Sequence, residues 1–136
     1  MATKTYHGSC HCKAIRFEAD LDLSKGTGKC NCSYCWKVRA WTIGIKPEQF
    51  RLLQGKEHAG EYGFREENMN HHVFCKQCGV RVYTYGHVKE IGGDYVSISL
   101  STLDDLPPSE LASAPVQFMN GRDDDWFHTP AETRHL

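Results

Sequence analysis

Long apolar runs are missing from this chain, and so is any excess of charge. None of its 136 residues belongs to a stretch near the ~18 consecutive apolar residues that a membrane-spanning helix needs. Met1 to Tyr6 lack the apolar core of a secretory signal, so a cytoplasmic protein is expected. Sixteen basic residues stand against 17 acidic ones, a net charge of −1. That balance removes the electrostatic grounds for binding nucleic acid or a membrane surface. No basic stripe or aromatic–basic repeat restores them. Internal repeats and low-complexity segments are absent too, and the length predicts a single domain over 1–136.

Helix signal is sparse. Ser101 or Thr102 is positioned to cap a brief turn through Leu106, which Pro107-Pro108 would stop, and Ser109 to Ala112 offers one more turn. Strand signal is better. Ala14–Ala19 and Trp41–Ile45 alternate small or apolar with polar residues. Val80–Tyr85 and Tyr95–Leu100 are the most β-prone stretches, with Gly92-Gly93-Asp94 as a turn between them. Phe50–Leu53, His72–Phe74 and Pro115–Met119 are shorter candidates, and Tyr62 and Phe64 would share one face of another. Gln54–Asn70 is polar and reads as a loop or exposed hairpin, Lys25–Gly28 as a flexible turn, and the tail from Gly121 as peripheral. The pattern predicts an all-β fold with little helix.

What the chain does have is cysteine. Its seven cysteines fall in three clusters, Cys10-His11-Cys12, Cys30-Asn31-Cys32-Ser33-Tyr34-Cys35 and Cys75-Lys76-Gln77-Cys78-Gly79. An odd count and the tight Cys-x-Cys spacing disfavour disulfides and favour metal. Four thiolates close a tetrahedral zinc site, whereas three leave one position for a ligand from outside. Seven divides as four plus three. Cys75-x-x-Cys78-Gly79 has the form of a zinc knuckle, with the glycine where the chain reverses. Sulfurs around zinc sit roughly 3.8 Å apart, while strand residues i and i+2 are about 6.5–7 Å apart, so Cys10-x-Cys12 chelates only if the backbone bends at His11. We assign Cys10, Cys12, Cys75 and Cys78 to a structural zinc that ties the N-terminal strand to the middle of the chain.

Cys30, Cys32 and Cys35 then form a second zinc site with its fourth ligand open. Water, a substrate thiol or one of His7, His11, His71 and His72 are the candidates for that position. Three thiolates make the metal electron-rich and favour soft sulfur as the fourth ligand. A bound thiol would ionise near neutral pH. The chemistry expected is the making or breaking of a carbon–sulfur bond on a small thiol or thiol adduct.

The motifs Gly8-Ser9-Cys10-His11-Cys12 with Ile15-Arg16-Phe17-Glu18, Cys30-Asn31-Cys32-Ser33-Tyr34-Cys35-Trp36-Lys37 and Phe74-Cys75-Lys76-Gln77-Cys78-Gly79 resemble those of the glutathione-dependent formaldehyde-activating enzyme family, which includes the centromere protein V relatives. Leu103-Asp104 also fits. The resemblance implies a β-tent of small antiparallel sheets, the same two zinc sites, and condensation of formaldehyde with glutathione to S-hydroxymethylglutathione, a carbon–sulfur lyase activity. The chain departs from the pattern at Lys13, where many members have glycine, and at Val38-Arg39-Ala40-Trp41, where a small Gly-Ala-like pair is common.

On this reading Cys30, Cys32 and Cys35 are the catalytic centre. Lys37, Arg39 or Arg65 would receive glutathione's carboxylates, and Trp36 and Trp41 would wall the pocket. The rival readings are a non-catalytic zinc-binding interaction module, the same centre with a different small thiol, and a redox sensor that releases metal on oxidation.

Overall fold

The computed structural model describes residues 3–66 and 69–136. Part of the Gln54–Asn70 segment and the first two residues therefore lie outside the described residues. Among the described residues, ten strands form two sheets. β1 (Lys4–Ser9), β2 (Arg16–Leu21) and β5 (Phe50–Gln54) make a three-stranded antiparallel sheet in the order β1-β2-β5. The other seven are β3 (Thr27–Cys30), β4 (Thr42–Ile45), β6 (Ala59–Tyr62), β7 (His71–Cys75), β8 (Arg81–Val88), β9 (Gly93–Ser99) and β10 (Val116–Met119). They form a second sheet in the order β10-β3-β4-β9-β8-β7-β6. Two short helices, α1 (Ser33–Val38) and α2 (Pro108–Ser113), complete the described elements together with several 3-10 turns. The fold is mostly β with little helix, as the alternation predicts. The larger sheet also holds one parallel pair, β10 with β3.

The core forms where the alternating faces of the sheets meet. In β2, Phe17, Ala19 and Leu21 are buried while the residues between them are not. Opposite them lie Ile43 and Ile45 of β4, Val73 of β7, Val82 of β8, and Val96 and Ile98 of β9. Burying a side chain of this size removes apolar surface worth about 1.5–3 kcal/mol. An aromatic chain, Phe17 to Phe50 at 5.6 Å and Phe50 to Tyr83 at 4.6 Å between ring centres, joins the two sheets.

Several sequence expectations change in the structure. Lys25–Gly28 is not simply a turn, because Thr27 and Gly28 begin β3, whose partner β10 lies far along the chain. The cysteine loop after it coils into α1. Within Gln54–Asn70, the strand spans Ala59–Tyr62, so Phe64 falls beyond its end. The turn capped at Ser101 or Thr102 moves forward, and the 3-10 turn is Leu100–Thr102.

Candidate metal centres

The first cysteine group is built from two similar turns. After β1 the chain reverses, the Cys10 N–H bonding to the Ile15 carbonyl at 3.2 Å and the Lys13 N–H to the Cys10 carbonyl at 3.1 Å. The Ile15 N–H points at the Cys10 sulfur at 3.3 Å. After β7 the same arrangement recurs. Cys75 pairs with Val80 at 3.0 Å, Gly79 donates to the Cys75 carbonyl at 2.8 Å, and the Gln77 N–H reaches the Cys75 sulfur at 3.3 Å. Gly79 sits at φ 79°, the left-handed conformation that its lack of a Cβ permits. The turns face each other. Cys10 and Cys12 sulfurs lie 3.7 Å apart and those of Cys12 and Cys75 3.6 Å apart. These spacings match the roughly 3.8 Å edge of a tetrahedral zinc–sulfur site. All four sulfurs, including that of Cys78, lie within 4.8 Å of one another. The backbone N–H groups of Cys12 and Val80 hold the Cys78 thiol down to about 6.

The bend at His11 required by the Cys-x-Cys spacing is present, but the unusual backbone belongs to Lys13, at φ 67°. Arg39, at the end of α1, is also left-handed at φ 53°. Both departures from the family pattern therefore contain a conformation that glycine adopts more easily.

The second group comes from one span. Cys30 ends β3, Cys32 caps α1 and Cys35 lies in its first turn. Their sulfurs lie within 4.8 Å of one another, and no histidine or carboxylate among the described residues joins them at that distance. The Cys32 N–H donates to the Cys30 sulfur at 3.4 Å and the Cys35 N–H to the Cys32 sulfur at 3.3 Å. Such bonds stabilise thiolate charge. Hydrogen bonding from Cys30 and Cys35 lowers the pKa of Cys32, while hydrogen bonding to Cys30 and Cys32 raises that of Cys35. The three thiols thus share hydrogen bonds that favour ionisation at Cys32 and oppose it at Cys35. Sulfur donors at this spacing suit a soft or borderline metal such as zinc.

The surroundings of this triad were only partly legible in the sequence. Tyr34 lies between Cys32 and Cys35 and stacks on His72 with ring centres 3.9 Å apart. Phe64 and Tyr62 extend the aromatic wall at 5.7 and 6.0 Å from Tyr34. His72 is buried, its Nδ1 lies 2.8 Å from the Thr84 hydroxyl, and burial, reinforced by the Arg81 charge, pushes its pKa down to about 4. The other histidine candidates sit elsewhere. His7 is beside Glu18 and Asp105, His71 is beside Glu61, and His11 is exposed.

Of the expected carboxylate receivers, Arg39 donates to the His135 carbonyl at 2.8 Å, and Arg65 lies over the rings of Phe64 and Trp126. Lys37 is exposed on α1. Trp41 packs against the core and donates to Thr27, whereas Trp36 is 43% exposed and meets His135 edge-on.

The tail is not peripheral. It runs across the triad as a strap. Asn31 donates to Asn120 at 3.0 Å and accepts from the Arg122 N–H at 3.0 Å, and the Arg122 Nε–H reaches the Asn31 carbonyl at 3.2 Å. A Cβ on Gly121 would stand 2.6 Å from the Cys30 sulfur. Residue type gave no signal for this, because the strap is brought in by the parallel pairing of β10 with β3.

Residues 5–120 match the model of a family described as glutathione-dependent formaldehyde-activating enzyme. An uncharacterized lyase of Schizosaccharomyces pombe is 28% identical over 82 residues, which are 57% of this chain and 56% of that protein. The match thus spans little more than half of the relative's length. A crystal structure of a Rhodobacter sphaeroides protein, 23% identical, superposes with a TM-score of 0.68 over 82% of this chain and 99% of that one, and so shares the fold. With its residues 5–120 matched, this chain belongs to the glutathione-dependent formaldehyde-activating enzyme family.

Proposed function

We propose that the chain, working as one unit over 1–136, is a zinc-dependent enzyme of the carbon–sulfur lyase type. Its substrate would be a small thiol or thiol adduct, with glutathione plus formaldehyde to S-hydroxymethylglutathione as the reaction of its family. The observation that carries this reading is the triad itself, three sulfurs within 4.8 Å with no fourth histidine or carboxylate among the described residues. The complete group of four, Cys10, Cys12, Cys75 and Cys78, would hold a second zinc whose role is structural.

Cys30, Cys32 and Cys35 would hold the catalytic zinc, which would keep a substrate thiol ionised near neutral pH. The backbone N–H groups of Cys32 and Cys35 fix two of the sulfurs. Tyr34, inside the cysteine loop, stacks on the buried His72 and would shield that side of the triad, where His72 stays neutral. The substrate sulfur attacks the carbonyl carbon, the C=O π pair moves to oxygen, and that oxygen takes up a proton. The gain comes from proximity and from a steady supply of thiolate. Seven cysteines without a disulfide fit a reducing, cytoplasmic setting. No described helix is long and apolar enough to cross a membrane.

The test mixes zinc-loaded protein with glutathione and formaldehyde and follows adduct formation. A rate above the uncatalysed one that Cys32→Ser abolishes is expected. Equal rates for wild type, variant and buffer would leave a zinc-binding interaction module.

A further inference from the structure

The arginines of this chain differ in how their charge is met. Arg51 bonds Glu18 at 2.6 Å and Asp20 at 2.7 Å, and Arg134 bonds Glu132 at 2.8 Å. Arg81, the first residue of β8, has no carboxylate partner among the described residues. Its Nη2 donates to the Thr84 hydroxyl at 2.5 Å, and its guanidinium lies 5.7 Å from the ring centre of Tyr34, inside the cysteine triad's loop. Its Nε–H is buried with no hydrogen-bond partner among the described residues. The residue as a whole is half-buried, and its Nη1, neither hydrogen-bonded among the described residues nor one of the buried unpartnered atoms, is the part of the fork open to a ligand.

A buried, unpartnered donor on a permanent cation is costly unless something completes it. The register explains how it comes to be there. β7 pairs with β8 through Val73 with Tyr83 and Phe74 with Arg81, so the ladder skips Val82. Arg81 thereby meets Thr84, which in turn holds His72 beneath Tyr34. Of the cations expected from the sequence to receive a carboxylate, Arg39 is engaged by the tail and Lys37 is exposed on α1.

We propose that Arg81 is the carboxylate-receiving residue of the thiol site, so that the substrate is an anionic thiol anchored by sulfur at the Cys30–Cys32–Cys35 triad and by a carboxylate at Arg81. A carboxylate matches the fork of donors that arginine presents, which an uncharged thiol cannot do. Arg65, stacked on Phe64 along the same aromatic wall, adds positive potential to that side. This inference rests on the triad being a thiol site, as proposed above.

The test separates the two anchors. Zinc-loaded wild type, Arg81→Gln and Arg81→Lys are titrated by NMR with S-methylglutathione, which keeps its carboxylates but has a capped sulfur, and with 2-mercaptoethanol, a thiol without carboxylate. Arg81→Gln should weaken S-methylglutathione binding by about 10- to 100-fold, the range of a charge-assisted hydrogen bond, and leave 2-mercaptoethanol binding unchanged. Arg81→Lys keeps the charge without the fork and should fall between wild type and Arg81→Gln, which also controls for folding. Equal weakening of both ligands would overturn the proposal, since Arg81 would then serve only the charge of the thiolates. Unchanged or undetectable S-methylglutathione binding would overturn it as well. Arg81-dependent binding in a protein that forms no adduct with formaldehyde would support this inference while removing the proposed reaction.

Discussion

The two cysteine groups use the same ligand type in opposite ways. Cys10, Cys12, Cys75 and Cys78 come from turns more than 60 residues apart, each carrying its own N–H to sulfur bonds. They join a strand of the small sheet to one of the large sheet, and Cys12 is exposed. Cys30, Cys32 and Cys35 come from six consecutive residues, with two of the three buried. They are held from outside by the Asn31–Arg122 strap and walled by Tyr34, Phe64 and His72. The four-sulfur group connects distant chain segments and is completed by its own ligands. The three-sulfur group connects nothing distant and depends on its surroundings. The same thiol thus sits in two different environments, one assembled from distant turns and one from a single span.

The strongest way to break this contrast is to remove one ligand from each group. Cys75→Ser should cost on the order of 5 kcal/mol or more, since structural zinc contributes about 10–16 kcal/mol to folding. Cys32→Ser should lose the other metal with a far smaller fall in melting temperature. Zinc counting and thermal melts check both, and equal melting losses would show that the groups do not divide the labour.

The next test sharpens the difference in environment. His72, beside the triad, has a folded pKa of about 4 against an ordinary 6.5. The folded state therefore resists the proton that the unfolded chain accepts. Stability is thus full above pH 6.5 and falls as pH drops from there through about 4, by about 3 kcal/mol. Imidazole NMR shifts should show His72 neutral at pH 5, and a midpoint near 6.5 would mean that the triad's wall is wet.

Gly121→Ala addresses the strap. Its new Cβ would press on the Cys30 sulfur and the Trp126 ring, at 2.6 and 2.5 Å, and should destabilise the protein by about 1–3 kcal/mol. Metal should be lost from the three-sulfur group while the four-sulfur group stays loaded, as zinc content after mild chelation would report. The smallest effect belongs to the turn at the other group. Lys13→Gly relieves a left-handed backbone, but it gives up the Lys13 contacts with Ser9 and Asp104 and frees the unfolded chain. The unfolding free energy from denaturant melts should change by less than about 1 kcal/mol.

Local pattern made much of this molecule readable in advance. The alternation in β2 and β4 marks strands because side-chain direction repeats every two residues whatever the partner strand is. The knuckle at Cys75–Gly79 is readable because two intervening residues and a glycine suffice to close that turn. By contrast, β3 carries little apolar signal in Thr27-Gly28-Lys29-Cys30 and becomes a strand through β10, nearly 90 residues later. The strap was invisible for the same reason.

Arg81 is the sharpest case. Its identity is plain in the sequence, but its unmet donor depends on which residues β7, β8 and α1 bring around it. The sequence alone determined the β character and the gathering of seven thiols into three short clusters, because spacing along a chain fixes which sulfurs are local neighbours, while the joining of the first cluster to the third needed the fold. Only the tertiary structure decided what surrounds each group, since burial, pairing and charge compensation are set by neighbours in space, and those neighbours are far apart along the chain.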